Sequence, residues 1–318
     1  MVRKIALEEH FLCPSTTDYW LPTMSEVPPD LVRKLSAALT DFDDGRLAVM
    51  DRGGIARCVL AVSGPGVQAE RDTATAVRNA RASNDFLAAQ IARHPDRYSG
   101  FAHLPMQDPK AAADELERAV RELKFCGAMI NGQTHGVYLD DPSLYPFWER
   151  AEALGAVVYL HPADPEAVYP ALADYKSLQR ATWGWGVETG SHALRLVFSG
   201  LFDRFPKAKF ALGHTGETLP YLLWRFDSRA KLYNVKLKRE PSQYIKENIW
   251  VTISGMYSLE PLACALSALG RERVMFSADY PFEDCGEACA FMDQVALDDS
   301  VRADVAYNNA ARLLGLSG

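Results

Sequence analysis

Four apolar runs in this chain each stop on a side chain of a metal-binding type. They are Ile5-Ala6-Leu7 before Glu8-Glu9-His10, Val157-Val158-Tyr159-Leu160 before His161, Phe210-Ala211-Leu212-Gly213 before His214, and Val274-Met275-Phe276-Ser277-Ala278 before Asp279. Side chains of an extended strand alternate with period two, so Glu8 and His10 share one face. Mixed imidazole and carboxylate ligation suits zinc, manganese or iron, whereas calcium takes more oxygens and a structural zinc site more thiolate. Taken singly, each residue has a plainer explanation: a hydrogen-bonded histidine, a helix-capping Asp279, a solvated Glu8 or Glu9. Taken together, Glu8, His10, His161 and Asp279 are expected to form one metal centre, with a single divalent ion, Mn2+ or Zn2+, as cofactor. His214 either joins the ligands or works as an acid/base, and Glu217 is placed to accept its second ring N–H.

Residues this far apart meet only if the fold brings strand ends together. A strand buried on both faces reads as a near-continuous apolar run, and in a (β/α)8 barrel the catalytic groups sit at the carboxyl ends of such strands. Eight strands are predicted, near residues 4–8, 57–62, 97–102, 126–130, 156–160, 208–212, 249–253 and 273–278. Helical stripes lie between them: Leu116, Val120 and Leu123 share a face after Asp108-Pro109, and Leu194, Val197, Phe198 and Leu201 share another between Ser191 and Phe202. The expectation is an α/β fold, a (β/α)8 TIM barrel, with residues 1–318 as one domain. Three stretches exceed a minimal barrel: Leu12 to Pro29, Ala163 to Gly190 and Asn234 to Asn248. Connections of that length serve as lids or contact loops.

Composition narrows the partners. A net charge of −7 over 318 residues, with no basic stripe, argues against nucleic acid. No run reaches the ~18 apolar residues of a membrane span, and the amino terminus lacks a secretory pattern. The six cysteines show neither zinc-finger nor CxxC spacing, as expected of reduced thiols in a cytoplasmic protein.

Several motifs carry a resemblance. Ala6-Leu7-Glu8-Glu9-His10-Phe11, Leu104-Pro105-Met106-Gln107-Asp108-Pro109, Tyr159-Leu160-His161-Pro162, Leu212-Gly213-His214-Thr215-Gly216-Glu217 and Phe276-Ser277-Ala278-Asp279-Tyr280-Pro281 together resemble the amidohydrolase-related decarboxylases. Within that group the chain is similar to the 2,6-dihydroxybenzoate (gamma-resorcylate) decarboxylases and to enzymes acting on 5-carboxyvanillate. The resemblance implies an amidohydrolase-superfamily barrel with one divalent ion on Glu8, His10, His161 and Asp279. It also implies a small aromatic carboxylic acid as substrate, His214 beside it, Arg225 on its carboxylate, and a homodimer or homotetramer.

Loss of CO2 from an aromatic acid leaves an electron pair on a ring carbon, and an ortho hydroxyl gives that pair a route once the carbon is protonated. The donor must stand over the ring, within about 3–3.5 Å. Asp279 is the first choice and His214, paired with Glu217, the second. Phe11, Trp20, Trp183 and Trp185 are expected to wall the ring. Two rivals use the same residues. One is a single-metal hydrolase of a lactone or amide with Asp279 as general base, against which stand Glu8-x-His10 in place of His-x-His and the absence of a lysine ending strand four. The other is a metal-stabilised binding protein without turnover.

Overall fold

The computed structural model describes residues 1–316. Its strands are β1 (Lys4–Phe11), β2 (Ile55–Val62), β3 (Tyr98–Ala102), β4 (Gly127–Asn131), β5 (Val157–His161), β6 (Lys209–Leu212), β7 (Ile249–Thr252) and β8 (Val274–Met275). They form one sheet in sequence order, each parallel to the next, with helices in the connections. This is the predicted (β/α)8 barrel. The strands read as apolar runs because they are covered twice. Leu7, Val59, Phe101, Met129, Tyr159 and Met275 belong to one buried cluster, while Phe11, Leu60, Ile130, Leu160 and Phe210 belong to a larger one shared with the helices.

The helices follow local signals. The stripe after Asp108 is the helix Pro109–Arg121, started by the Asp108 carboxylate, which accepts from the N–H groups of Lys110 and Ala111 at 3.0 Å. The segment predicted as one helix from Ser191 to Phe202 differs. It begins at Gly184 and stops at Phe198, and a separate turn, Leu201–Arg204, follows Gly200, whose φ of 77° no regular helix tolerates. Among the described residues no helix is long and apolar enough to cross a membrane.

The seam between β8 and β1 differs most from expectation. β8 is two residues long rather than the predicted six, and among the described residues it forms no ladder with β1. β1 itself is irregular: Ala6 pairs with Cys58 but Glu9 with Leu60, so β1 carries an extra residue at Leu7-Glu8. The N–H groups of Leu7 and Glu8 turn instead to Ser277 Oγ, at 3.1 and 2.6 Å. His10 N donates to the carbonyl of Tyr280 at 2.8 Å.

Two of the aromatics expected around a substrate belong to this framework. Phe11 follows His10 by one position, so it points away from the mouth; it is fully buried, with Phe42 edge-on at 5.7 Å and Phe86 stacked at 6.4 Å. Trp20 is fully buried with Leu12 and Leu39 in a cluster that anchors the loop after β1. Both are packing residues.

Candidate metal centre at the barrel mouth

Glu8, His10, His161 and Asp279 each offer one ligand atom, and these atoms lie within 4.8 Å of one another. The bulge in β1 turns Glu8 and His10 into the mouth from inside the strand, and His161 is the last residue of β5. Asp279 comes from four residues beyond β8, in a left-handed conformation with φ of 54°. Non-glycine residues enter that region uncommonly, Asp more readily than most, and those held there by their surroundings cluster at active sites and ligand clamps.

Glu8 and His161 are each held by a bond on the side away from the centre. Glu8 Oε2 accepts from Tyr159 Oη at 2.7 Å and from Ser254 Oγ, leaving Oε1 buried without a partner. Gly213 makes room for this carboxylate, since a Cβ there would lie 2.7 Å from Oε2. His161 donates Nδ1–H to the carbonyl of Pro162 at 2.8 Å, which fixes the tautomer and leaves Nε2 as a lone-pair donor. Burial pushes its pKa down to about 3, so it is a neutral imidazole at any working pH. His10 Nε2 lies 3.0 Å from Asp279 Oδ1.

The charges call for a cation. Burial pushes the Glu8 carboxyl up, with His214 pulling the other way. Burial also opposes the charge on Asp279, but bonds from His10 and His214 outweigh it and hold that carboxyl well below the usual range. Glu283 stands close enough to feel Asp279, and burial raises its carboxyl too. Two converging carboxylates, two imidazoles and an orphaned buried oxygen form a donor set that fits Mn2+ or Zn2+.

His214 does not join that set. It opens a kinked turn in which His214, Thr215, Glu217 and Thr218 all have positive φ, from 49° to 68°. There its Nδ1 meets Glu217 Oε1 at 2.8 Å and its Nε2 stands 3.8 Å from Asp279 Oδ2. Burial works against a charge on His214, but Glu217 and Glu8 outweigh it and hold its pKa well above the ordinary imidazole range. These charges favour the protonated imidazole, and the Glu217 carboxylate lies against its Nδ1.

The remaining candidates divide. Trp185 donates Nε1–H to Asp164 at 2.7 Å, in the loop after β5, and Trp183 is 54% exposed beside it. Arg225 is exposed on the helix Leu219–Leu232. Neither acid near it in sequence takes it: Asp227 accepts from Ser242 N at 2.8 Å, and Glu217 holds His214. Sequence reasoning missed Phe282, whose ring stands 5.5 Å from that of His10, T-shaped, and is 37% exposed. Its position three residues after a ligand was the available signal. Three other histidines are structural: His103 accepts from Val67 N and His192 from Leu139 N, both at 2.8 Å, and His94 pairs with Asp43.

The amidohydrolase family pattern matches residues 36–316. The gamma-resorcylate decarboxylase of Polaromonas sp. is 40% identical over 325 residues, covering 99% of each chain. The crystal structure of a dihydroxybenzoic acid decarboxylase from Polaromonas sp., with bound manganese and the inhibitor 2-nitroresorcinol, superposes with a TM-score of 0.93 at 39% identity, covering 99% of this chain and 98% of that one. That of 5-carboxyvanillate decarboxylase from Sphingomonas paucimobilis superposes with a TM-score of 0.91 at 36% identity, covering both chains fully.

Proposed function

This chain belongs to the amidohydrolase family, and from that membership and its mouth we infer that it is a divalent-metal-dependent, non-oxidative decarboxylase of an ortho-hydroxylated aromatic carboxylic acid. The substrate is of the dihydroxybenzoate or carboxyvanillate type, and the enzyme is a carbon–carbon lyase. The observation that carries this reading is the convergence of Glu8, His10, His161 and Asp279 within 4.8 Å, in a chain alignable end to end with aromatic acid decarboxylases. The hydrolase alternative lacks its bridging lysine, because β4 ends on Asn131.

A bound Mn2+ or Zn2+, held by the four ligands, supplies a Lewis acid that favours the ionised phenol and fixes the ring. The protein's own groups move the protons. Asp279 arrives ionised, takes the proton of the ortho hydroxyl and passes it to the ring carbon bearing the carboxylate. The ring then holds a dienone, the bond to the carboxylate breaks, its electron pair returns through the ring to the oxygen, and CO2 leaves. The product phenolate takes a proton from the His214 imidazolium, which recovers one from water. Phe282, Trp183 and Trp185 border the ring, and Arg225 offers a planar fork for the carboxylate.

The test is a panel of ortho-hydroxybenzoates incubated with metal-analysed protein and followed by absorbance and chromatography. Metal-dependent conversion of one acid to its phenol with release of CO2 is expected. No turnover on any of them by protein holding one metal per chain, with hydrolysis of a lactone instead, would overturn the reading.

Glu217→Gln tests the proton path. The protonated form of His214 is lost as pH rises through its raised pKa, so it sets the alkaline limb of the pH–rate profile. Removing the Glu217 charge lowers that pKa, and the limb moves to lower pH. A limb that stays in place would remove His214 from proton transfer.

The working form is a homodimer or homotetramer in the cytoplasm. Supporting assembly, Tyr221 and Trp224 are 81% and 75% exposed on the outer face of the helix Leu219–Leu232, with Tyr233 at 73% just beyond it. Aromatic side chains this exposed mark subunit contacts. Arg225 lies in the same face, so it serves the carboxylate within the assembly. Supporting a reducing compartment, all six cysteines are free, including Cys285 and Cys289 with sulfurs 4.0 Å apart. Residues 1–318 act as one domain, since the site draws on both ends of the sheet. Arg225→Ala is expected to raise KM about ten- to a hundredfold, the worth of one charged hydrogen bond. Trp224→Glu should yield monomers by light scattering with the same rise; an unchanged KM in either variant removes Arg225 from the carboxylate.

A further inference from the structure

Three of the four ligands lie on the seam between β8 and β1, which no backbone ladder closes among the described residues. Glu8 and His10 stand on β1, Asp279 stands beyond β8, and side chains, together with the bond from His10 N to the Tyr280 carbonyl, bridge the two. The bridge is built on Glu9. This residue is 1% exposed and, by strand alternation, points away from the mouth that Glu8 and His10 face. Its Oε1 accepts from Ser277 Oγ at 3.0 Å and from Ala278 N at 2.9 Å, and its Oε2 accepts from Tyr280 N at 3.3 Å. All three donors flank Asp279, before and after. The Ser277 hydroxyl that donates to Glu9 also accepts the Leu7 and Glu8 N–H groups freed by the bulge. Arg46, itself buried, completes the seam by donating Nη2–H to the carbonyl of His10 at 2.7 Å and lying over the Tyr280 ring at 4.9 Å.

A buried carboxylate costs several kcal/mol in desolvation, so its three bonds must be strong to keep it in place. They converge on a residue whose φ of 54° needs to be held. We propose that Glu9 is a positioning residue that sets Asp279 against Glu8 and His10 across the seam, so that losing its carboxylate weakens divalent-metal binding at the mouth. This rests on the metal-centre reading and not on which substrate the enzyme takes.

Glu9→Gln keeps the shape but places an amide NH2 against one of two N–H donors, whichever way it turns. Ser277→Ala removes the shared hydroxyl and leaves the carboxylate, a milder change. Chelated, metal-free protein of each kind is titrated with Mn2+ and followed by calorimetry and by the electron paramagnetic resonance of the free ion. Circular dichroism and melting curves establish that each variant is folded. The Mn2+ dissociation constant is expected to rise about ten- to a hundredfold in Glu9→Gln, as for other groups that orient metal ligands, and in the same direction but less in Ser277→Ala. A role confined to fold stability would lower the melting temperature and leave Mn2+ affinity alone. Affinity within a factor of about two of the unmodified chain in either folded variant therefore overturns the proposal. Failure of the unmodified chain to bind either Mn2+ or Zn2+ overturns the metal centre and the clamp together. Normal binding without turnover overturns only the decarboxylase reading.

Discussion

Asp279→Asn is expected to lower kcat by about a hundredfold to ten-thousandfold, the range contributed by one positioned acid/base group, while the aromatic acid still binds. The replacement is well controlled. Asparagine enters the left-handed region more readily than most residues, so the φ of 54° at this position is kept. The amide oxygen still faces His10, 3.0 Å away in the parent, and can still serve as a ligand. What disappears is the capacity to take up a proton and give it back. His10 and His214 hold the Asp279 carboxyl well below its usual range against the pull of burial, which favours the ionised base the mechanism needs. Glu8 cannot replace it, because Tyr159 and Ser254 fix its Oε2. Single-turnover product formation and an independent binding isotherm separate the two effects. Full activity in Asp279→Asn would remove Asp279 from proton transfer, and a loss confined to His214→Gln would assign the donor role to His214.

Most of this centre was legible because the fold rule is simple: ligands end strands, and strand ends meet at one mouth. His161 follows the rule to the residue, and Glu8 and His10 follow the period-two rule for sharing a face. Two physical details lay beyond it. The bulge in β1, which aims Glu8, depends on Ser277 from the far end of the chain, and no local pattern announces a bulge satisfied by a partner 270 residues away. β8 ends at Met275, after which Phe276 N donates to the Val305 carbonyl, so Asp279 belongs to a loop although its apolar lead-in reads as strand to Ala278. Glu9 read only as a solvated carboxylate, because a carboxylate beside a ligand looks the same in sequence whether it meets water or three buried donors. The aromatics misled for a different reason. Phe11 follows His10 by one residue and Trp20 by ten, while Phe282 follows Asp279 by three, yet the first two are packed and the last stands beside His10. Only the alternation of β1, which sends residue 11 outward, distinguishes Phe11, and nothing local distinguishes Trp20.

Removing the metal should abolish turnover without unfolding the barrel, and Mn2+ alone should restore it. The site is built before the ion arrives. Tyr159 and Ser254 hold one oxygen of Glu8, the Pro162 carbonyl fixes the His161 ring, and Glu217 holds His214, none of which depends on an ion. What the ion changes is the balance of charge. Without it, Glu8 and Asp279 bring two carboxylates into one buried cluster, and Glu8 Oε1 has no partner. A ligand that binds only the folded state adds RT ln(1 + [L]/Kd) to stability, about 4 kcal/mol at a thousandfold excess over Kd, so the metal-free protein should melt measurably earlier. The effect has a sign in pH as well. Burial raises the Glu8 carboxyl, so protons compete for it at a higher pH than for an ordinary glutamate, and Mn2+ affinity should fall as the solution is acidified. Chelation, metal analysis, melting with and without Mn2+, and reactivation by titration test each step. Undiminished turnover by protein shown to be metal-free would exclude a catalytic metal, and collapse of the fold on chelation would make the ion a structural one.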